Sequence, residues 1–284
     1  MKRLLVLLLL CGSLAGTALA DGARAATAPV EASMLVTGTI VVAPDGSVSS
    51  YAVDHPEKLP PGVLQVIGNT VPQWKFRPIL LDGQPVNAKA KMSLRIVARK
   101  MGGENFAVNV RAASFGQDAP SERVTERKLV EPIYPREAVL SGVSGTVYVV
   151  LKVDRDGHVE TADVWQVDLN MIDSDAAMRR WRKMLAKASL NAARRWTFNP
   201  PTAGGQASDQ HWVVGVPVNF KLRGLPDSRQ VAYGQWQGYV PGPHELIPWL
   251  NQAQVAASGV DTIPAGGVLQ LNSEFQLVSP LKGG

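Results

Sequence analysis

Hydrophobic and polar positions first fall into a clear pattern at Gly38. Gly38-Thr39-Ile40-Val41-Val42-Ala43 runs into Pro44-Asp45-Gly46 and returns through Ser47-Val48-Ser49. A β-rich run, a turn whose glycine supplies positive φ and a second run predict a hairpin. The arrangement recurs at Gly145-Thr146-Val147-Tyr148-Val149-Val150-Leu151-Lys152-Val153, turning at Asp154-Arg155-Asp156-Gly157 into His158 to Ala162. Each hairpin leads to an aromatic pair at strand spacing, Trp74 with Phe76 and Trp196 with Phe198, followed two residues later by Pro78 or Pro200. Another strand comes next, Ala88 to Ala98 in the first case and His211 to Leu222 in the second. This ordered match predicts an internal repeat, and two copies mean tandem domains, not a solenoid.

The segments before the tryptophans differ. Met178, Trp181, Leu185, Ala188 and Ala192 step by three and four, so Ser174 to Arg195 predicts a long amphipathic helix with an N-cap and acidic first turn at Asp173-Ser174-Asp175. The counterpart, Pro60 to Val71, is bounded by Pro60-Pro61 and Pro72 and predicts one or two helical turns. Met101 to Glu126 is polar and irregular and predicts a linker, with Phe106 to Val110 as an optional strand. Beyond Gly224, prolines 226, 241, 243, 248 and 264 mark a tail, in which 244–257 could form a short helix and 268–278 a strand.

The first 20 residues carry Lys2 and Arg3, an apolar run from Leu4 and a small-x-small end at Ala18-Leu19-Ala20, the pattern of a cleaved secretory signal. The alternative is an uncleaved inner-membrane anchor, since residues 4–20 sit at the lower edge of spanning length. The one cysteine, Cys11, lies inside this segment, so after cleavage no disulfide or thiolate metal site remains. Loss of Lys2 and Arg3 leaves 29 − 2 = 27 basic against 24 acidic residues, a balance that is no nucleic-acid footprint.

Candidate chemistry is sparse. His55, His158, His211 and His244 stand at no metal-ligand spacing. Setting Gly157 at the invariant glycine of a calcium loop puts Lys152 at the first ligand and Asp163 where a bidentate Glu belongs, so that motif fails. No nucleophile elbow, phosphate loop or His-Glu-x-x-His is present. The expectation is a non-enzymatic protein with no catalytic residue, cofactor or metal. Two surfaces remain. Arg179, Arg180, Arg182 and Lys183 on the long helix offer contact with an anionic envelope surface, against the plainer reading of a solvated face. Pro217 cannot donate to a sheet ladder, which places the last strand at an edge. Trp212, Val214, Val216, Pro217, Val218 and Phe220 on that strand are the candidate partner-binding residues, provided neither the tail nor the other copy covers the edge.

Tyr134-Pro135-Arg136-Glu137-Ala138, Gly142-Val143-Ser144-Gly145-Thr146-Val147, the Asp156-Gly157 turn, Ala192 through Pro200 and Val216 through Phe220, taken in order, resemble the C-terminal domain of the TonB family. The first copy matches only the hairpin, the Trp-x-Phe-x-Pro element and the final strand, as a degenerate relative. The resemblance implies a two-layer α+β domain, a small antiparallel sheet with a helix packed on it. With the internal repeat and the prolines beyond Gly224, the expected class is α+β, two tandem small antiparallel-sheet-plus-helix domains with a Pro-rich C-terminal tail, and the expected divisions are signal 1–20, leader 21–33, degenerate module 34–100, linker 101–127, TonB-like domain 128–224 and tail 225–284. The resemblance also implies a periplasmic protein of a diderm bacterium that takes a strand from an envelope or outer-membrane protein. A membrane-anchored energy transducer and a structural scaffold are the alternatives, and a homodimer is a further candidate assembly. The transducer is disfavoured by the cleavable N-terminus, the missing Pro-rich spacer and the unusually long helix before Trp196.

Overall fold

The computed structural model describes residues 30–281, apart from 104, 117–118, 223–231, 252–258, 265 and 272. The expected signal 1–20, and the leader as far as residue 29, lie outside the described residues. The first strand described, β1, starts at Glu31, three residues before the expected start of the fold.

The class is α+β, with antiparallel sheets and few helices. One sheet combines β1 (Glu31–Val42), β2 (Val48–Val53), β5 (Ala88–Gly102), β6 (Asn105–Gly116) and β12 (Gln237–Tyr239), in the order β12-β1-β5-β6 with β2 also paired to β1. The other combines β8 (Gly145–Asp154), β9 (Val159–Leu169), β11 (His211–Phe220) and β13 (Leu269–Gln270), in the order β13-β11-β8-β9. Two small pairs complete the strands: β3 (Leu80–Leu81) with β4 (Gln84–Pro85), and β7 (Thr125–Lys128) with β10 (Thr197–Asn199).

Each sheet carries its own helix. α1 (Pro61–Thr70) starts on Pro61, whose missing N–H costs nothing at the first helical position, and buries Val63 and Ile67. Its ten residues make nearly three turns, longer than the prolines suggested, because both flanking prolines sit outside the helix interior. α2 (Arg136–Leu140) is a single short turn of helix. α3 (Asp175–Ala193) is capped by Ser174, whose Oγ accepts from the Ala177 N–H at 3.4 Å. Its buried stripe is Met178, Trp181, Leu185, Ser189, Ala192 and Ala193. Ser189 takes the place expected for Ala188 and satisfies its hydroxyl on the Leu185 carbonyl at 3.0 Å.

The two hairpins share one lock. The Phe76 N–H donates to the Gly46 carbonyl and the Phe198 N–H to the Gly157 carbonyl, both at 2.8 Å. Gly46 (φ 79°) and Gly157 (φ 83°) hold positive φ, and a Cβ on either would overlap the carbonyl oxygen of Phe76 or Phe198. Bridges Ser47 to Lys75 and His158 to Thr197 complete the correspondence.

Three apolar clusters hold the molecule. In one, Val147, Val149, Leu151 and Val153 of β8 cluster with Trp181 and Leu185 of α3 and with Phe198 of β10. In another, α1 covers the first sheet around Trp74, Phe76, Leu94 and Ile96, and Phe115 of β6 and Phe275 of the tail complete it. The last lies on the opposite face of β8, where Tyr148 and Val150 with Trp165 pack on Ile247, Val260 and Ile263 of the tail. With both faces covered, β8 is almost continuously buried, and each buried Val or Leu contributes roughly 1.5–3 kcal/mol.

Two expectations change here. The stretch 101–127, expected as a linker, carries the whole of β6, which pairs with β5 along eleven positions and forms the sheet's edge. The polar residues around it hide β6, in which Val110, Ala112, Ala113 and Phe115 are buried and only Asn105 and Phe106 are exposed. The tail is no loose extension: β12 and β13 each add to a different sheet. Residues 244–251 form no helix, and the strand expected over 268–278 shrinks to β13 and a bridge from Leu277 to Phe76.

Candidate functional site

β11 pairs with β8 from His211 opposite Asp154 to Phe220 opposite Gly145. Of the six residues singled out on it, Trp212, Val214, Val216, Val218 and Phe220 point into the α3 core. Pro217 is buried on the other face, at the wall of a cleft. The side chains are therefore held by the fold, and what the strand can present to a partner is backbone. The outward groups follow from parity. Val213 accepts from the Leu271 N–H at 2.9 Å, so with the two-residue strand period Gly215, Pro217 and Asn219 also turn their backbone outward. β13 covers Val214 and Gly215, opposite Gln270 and Leu269. Pro217 thus stands where an outward N–H would otherwise be, which is where a strand tolerates proline.

The outer face of the second sheet turns toward the first sheet, and a polar layer lies between them. Arg95 on β5, only 13 % exposed, donates from Nη2 to the Tyr148 hydroxyl and from Nη1 to Ser33 Oγ, both at 2.8 Å, and from Nε to the Asp261 carbonyl at 2.6 Å. Burial pushes its guanidinium down, but Tyr148, Asp261, Asp168 and Tyr239 outweigh that and keep it charged. Beside it, Asp168 (4 % exposed) accepts from Gln166 Nε2 at 2.7 Å and the Gly242 N–H at 3.0 Å. Burial raises the Asp168 carboxyl to about 6, against the pull of Arg95, Gly242 and Gln166. At the far end Glu31 accepts from Arg99 at 2.5 Å, from Arg111 at 2.6 Å and from the Tyr239 hydroxyl at 2.9 Å. Burial raises Glu31, yet these partners together hold its carboxyl below the usual range.

This layer opens into a cleft of about 360 Å³, walled by Arg95, Thr146, Tyr148, Asp168, Asn219 and Tyr239 among others. Thr146 Oγ1 donates to Asn219 Oδ1 at 2.8 Å, so both groups are already engaged. No local pattern announces the cluster. Arg95 reads there as one polar position in an alternating strand, and its partners lie 53 and 166 residues away in Tyr148 and Asp261.

The basic helix face divides. Arg180 pairs with Glu137 and lies over the Trp181 ring at 5.1 Å. Arg182 turns inward, donating to the Val167 and Pro241 carbonyls at 3.1 Å, so it clamps β9 and the tail and does not face an external surface. Arg179 and Lys183 are exposed. Among the described residues, Asp154, Asp156 and His158 bring ligand atoms within 4.8 Å of one another. Asp154 Oδ1 is occupied by the N–H groups of Asp156 and His158 at 2.9 and 2.8 Å, the bonding of a turn. No helix among the described residues is long and apolar enough to cross a membrane.

A family model described as Gram-negative bacterial TonB protein C-terminal matches residues 130–222. The chain is 32 % identical over 99 residues to the protein named Protein TonB of Xanthomonas campestris pv. campestris strain B100. It is equally similar to the protein of that name from strain ATCC 33913. The match covers 35 % of this chain and 38 % of each relative, so the chain spans less than half the length of these curated relatives. No solved structure matches. The matched span holds α2, α3, β8 to β11 and the turn at Gly157.

Proposed function

We propose that the chain is a non-enzymatic binding module of the Gram-negative envelope, working in the periplasm, whose second unit accepts an extended segment of an envelope or outer-membrane protein along β11. Its first unit is a diverged copy of the same design, and residues beyond 224 stitch the two together. The observation that carries this reading is the outer edge of β11. It lies within the span that matches the TonB C-terminal model, it is marked by Pro217, and among the described residues it carries only the two-residue strand β13. A partner strand displacing β13 would gain the outward groups of Val213 and Gly215 and extend to Pro217 and Asn219, drawing affinity from the backbone.

The test is an amide shift titration of the exported protein with peptides copied from exposed extended segments of outer-membrane receptors. The amides of Val213, Gly215 and Asn219 move, and Leu271→Pro, which removes the N–H donated to the Val213 carbonyl by the residue after β13, tightens binding severalfold. Peptides that leave all three amides unmoved in both proteins would end this reading. A scaffold reading is favoured by one observation, that the tail enters both sheets and all three apolar clusters. It predicts no peptide affinity in either protein. The anchored-transducer alternative requires residues 1–20 to be retained, so a mature mass beginning after Ala20 removes it.

A further inference from the structure

From the groove on the outer side of α3 we infer a second docking surface, one that takes an acidic segment of a partner protein by inserting a single apolar side chain. The groove holds about 280 Å³ and runs along one stripe of α3, Met184, Lys187, Ala188 and Asn191, with Arg195 just beyond the helix end, facing Ile133 and Pro135. These helix positions recur at three and four residues, so they form one line. The line flanks the stripe buried against the sheet: Ala192 belongs to both, and Met184 and Ala188 also pack against that core, while Lys187, Asn191 and Arg195 are exposed.

Three observations fix the occupant. First, the wall opposite the helix is built in advance. Trp196 Nε1 donates to the Val130 carbonyl at 2.8 Å, and the Tyr134 hydroxyl donates to the Val143 carbonyl. Ile133, between these anchors, is 82 % exposed and presents an apolar side chain to solvent at the groove's rim. Second, the volume lies just below the range of small-molecule pockets, about 300–1,000 Å³, and suits one large apolar side chain of a partner. Third, residues 176–195 contain seven basic side chains and no acidic one. Arg182 is held inward and Arg180 is paired with Glu137, which leaves Arg179, Lys183, Lys187, Arg194 and Arg195 exposed along the helix. An apolar slot bordered by lysine and arginine complements an acidic segment carrying a Leu or Phe anchor, with the charges guiding encounter and the anchor setting affinity. A bilayer surface would use the charge but has no need of a slot sized for one side chain.

The experiment uses the exported full chain and three fluorescent nine-residue peptides: Asp/Glu-rich with a central Phe, the same with Ala for Phe, and a Lys-rich version with Phe. The acidic Phe peptide binds. Its affinity falls tenfold or more with the Ala peptide, with Ile133→Ser and with Lys187→Glu, and it weakens as salt is raised. Ile133 is exposed, so its substitution leaves the fold intact, which an unchanged unfolding midpoint verifies. Equal binding of the Phe and Ala peptides, or no effect of Ile133→Ser, overturns the proposal. Binding to phosphatidylglycerol vesicles that is lost in Lys187→Glu, with no peptide binding, also overturns it and assigns the face to lipid.

Discussion

The first unit covers its sheet with the ten-residue α1 and the second with the nineteen-residue α3, although both fold back through the same glycine-to-phenylalanine lock. The shorter helix leaves apolar surface, and the first unit fills it from elsewhere. Phe115 of β6 stands edge-on to Trp74 and Phe76 at 5.6 and 4.8 Å, and Phe275 of the tail enters the same cluster. The second unit completes its α3 side mainly with its own residues, and its tryptophan is better satisfied. Trp196 Nε1 reaches the Val130 carbonyl at 2.8 Å, whereas Trp74 Nε1 has no partner among the described residues. The comparison teaches that the turn lock sets the path of the chain, while the covering layer can differ so long as something closes the core.

The sharpest test of a shared lock is Gly46→Ala beside Gly157→Ala. Both place a Cβ at positive φ against a phenylalanine carbonyl, so both should cost more than about 4 kcal/mol in urea unfolding. A severe loss at one glycine and a mild one at the other would break the comparison. Between the units, Asp168 gives the next effect. Its carboxyl titrates near 6 when folded and near 4 when unfolded, so the folded state binds the proton more tightly. Stability from this group is full below about pH 4, falls as pH rises to about 6 and is level above, by up to roughly 3 kcal/mol. Asp168→Asn should remove that slope, and a wild-type midpoint flat from pH 4 to 6 would show that the carboxyl is not held as described. The smallest contrast lies in the tryptophans. Trp196→Phe abandons the Val130 carbonyl and should cost about 2 kcal/mol, while Trp74→Phe loses no hydrogen bond and should cost about 1 kcal/mol. Equal losses would mean that packing alone decides both sites.

The candidate site was legible in part. Pro217 places β11 at an edge because proline lacks a donor, and that reasoning needs only the residue type. That the edge would carry β13, and that Trp212, Val214, Val216, Val218 and Phe220 would face α3, needed the register against Val213 and the position of the helix. Arg182 sits among four basic residues in sequence, yet its helical angle turns it to the Val167 and Pro241 carbonyls.

The sequence by itself determined both hairpins, the two aromatic pairs and the long amphipathic helix. These rest on turn geometry and on periods of two and 3.6, which act between near neighbours. Only the tertiary structure decided that β6 extends the first sheet, that the tail threads both sheets, and that a polar layer joins them. Glu31 finds Tyr239 across 208 residues, and Arg95 finds Asp261 across 166. No local spacing encodes such meetings, because they depend on where two independently patterned sheets bring their outer faces together.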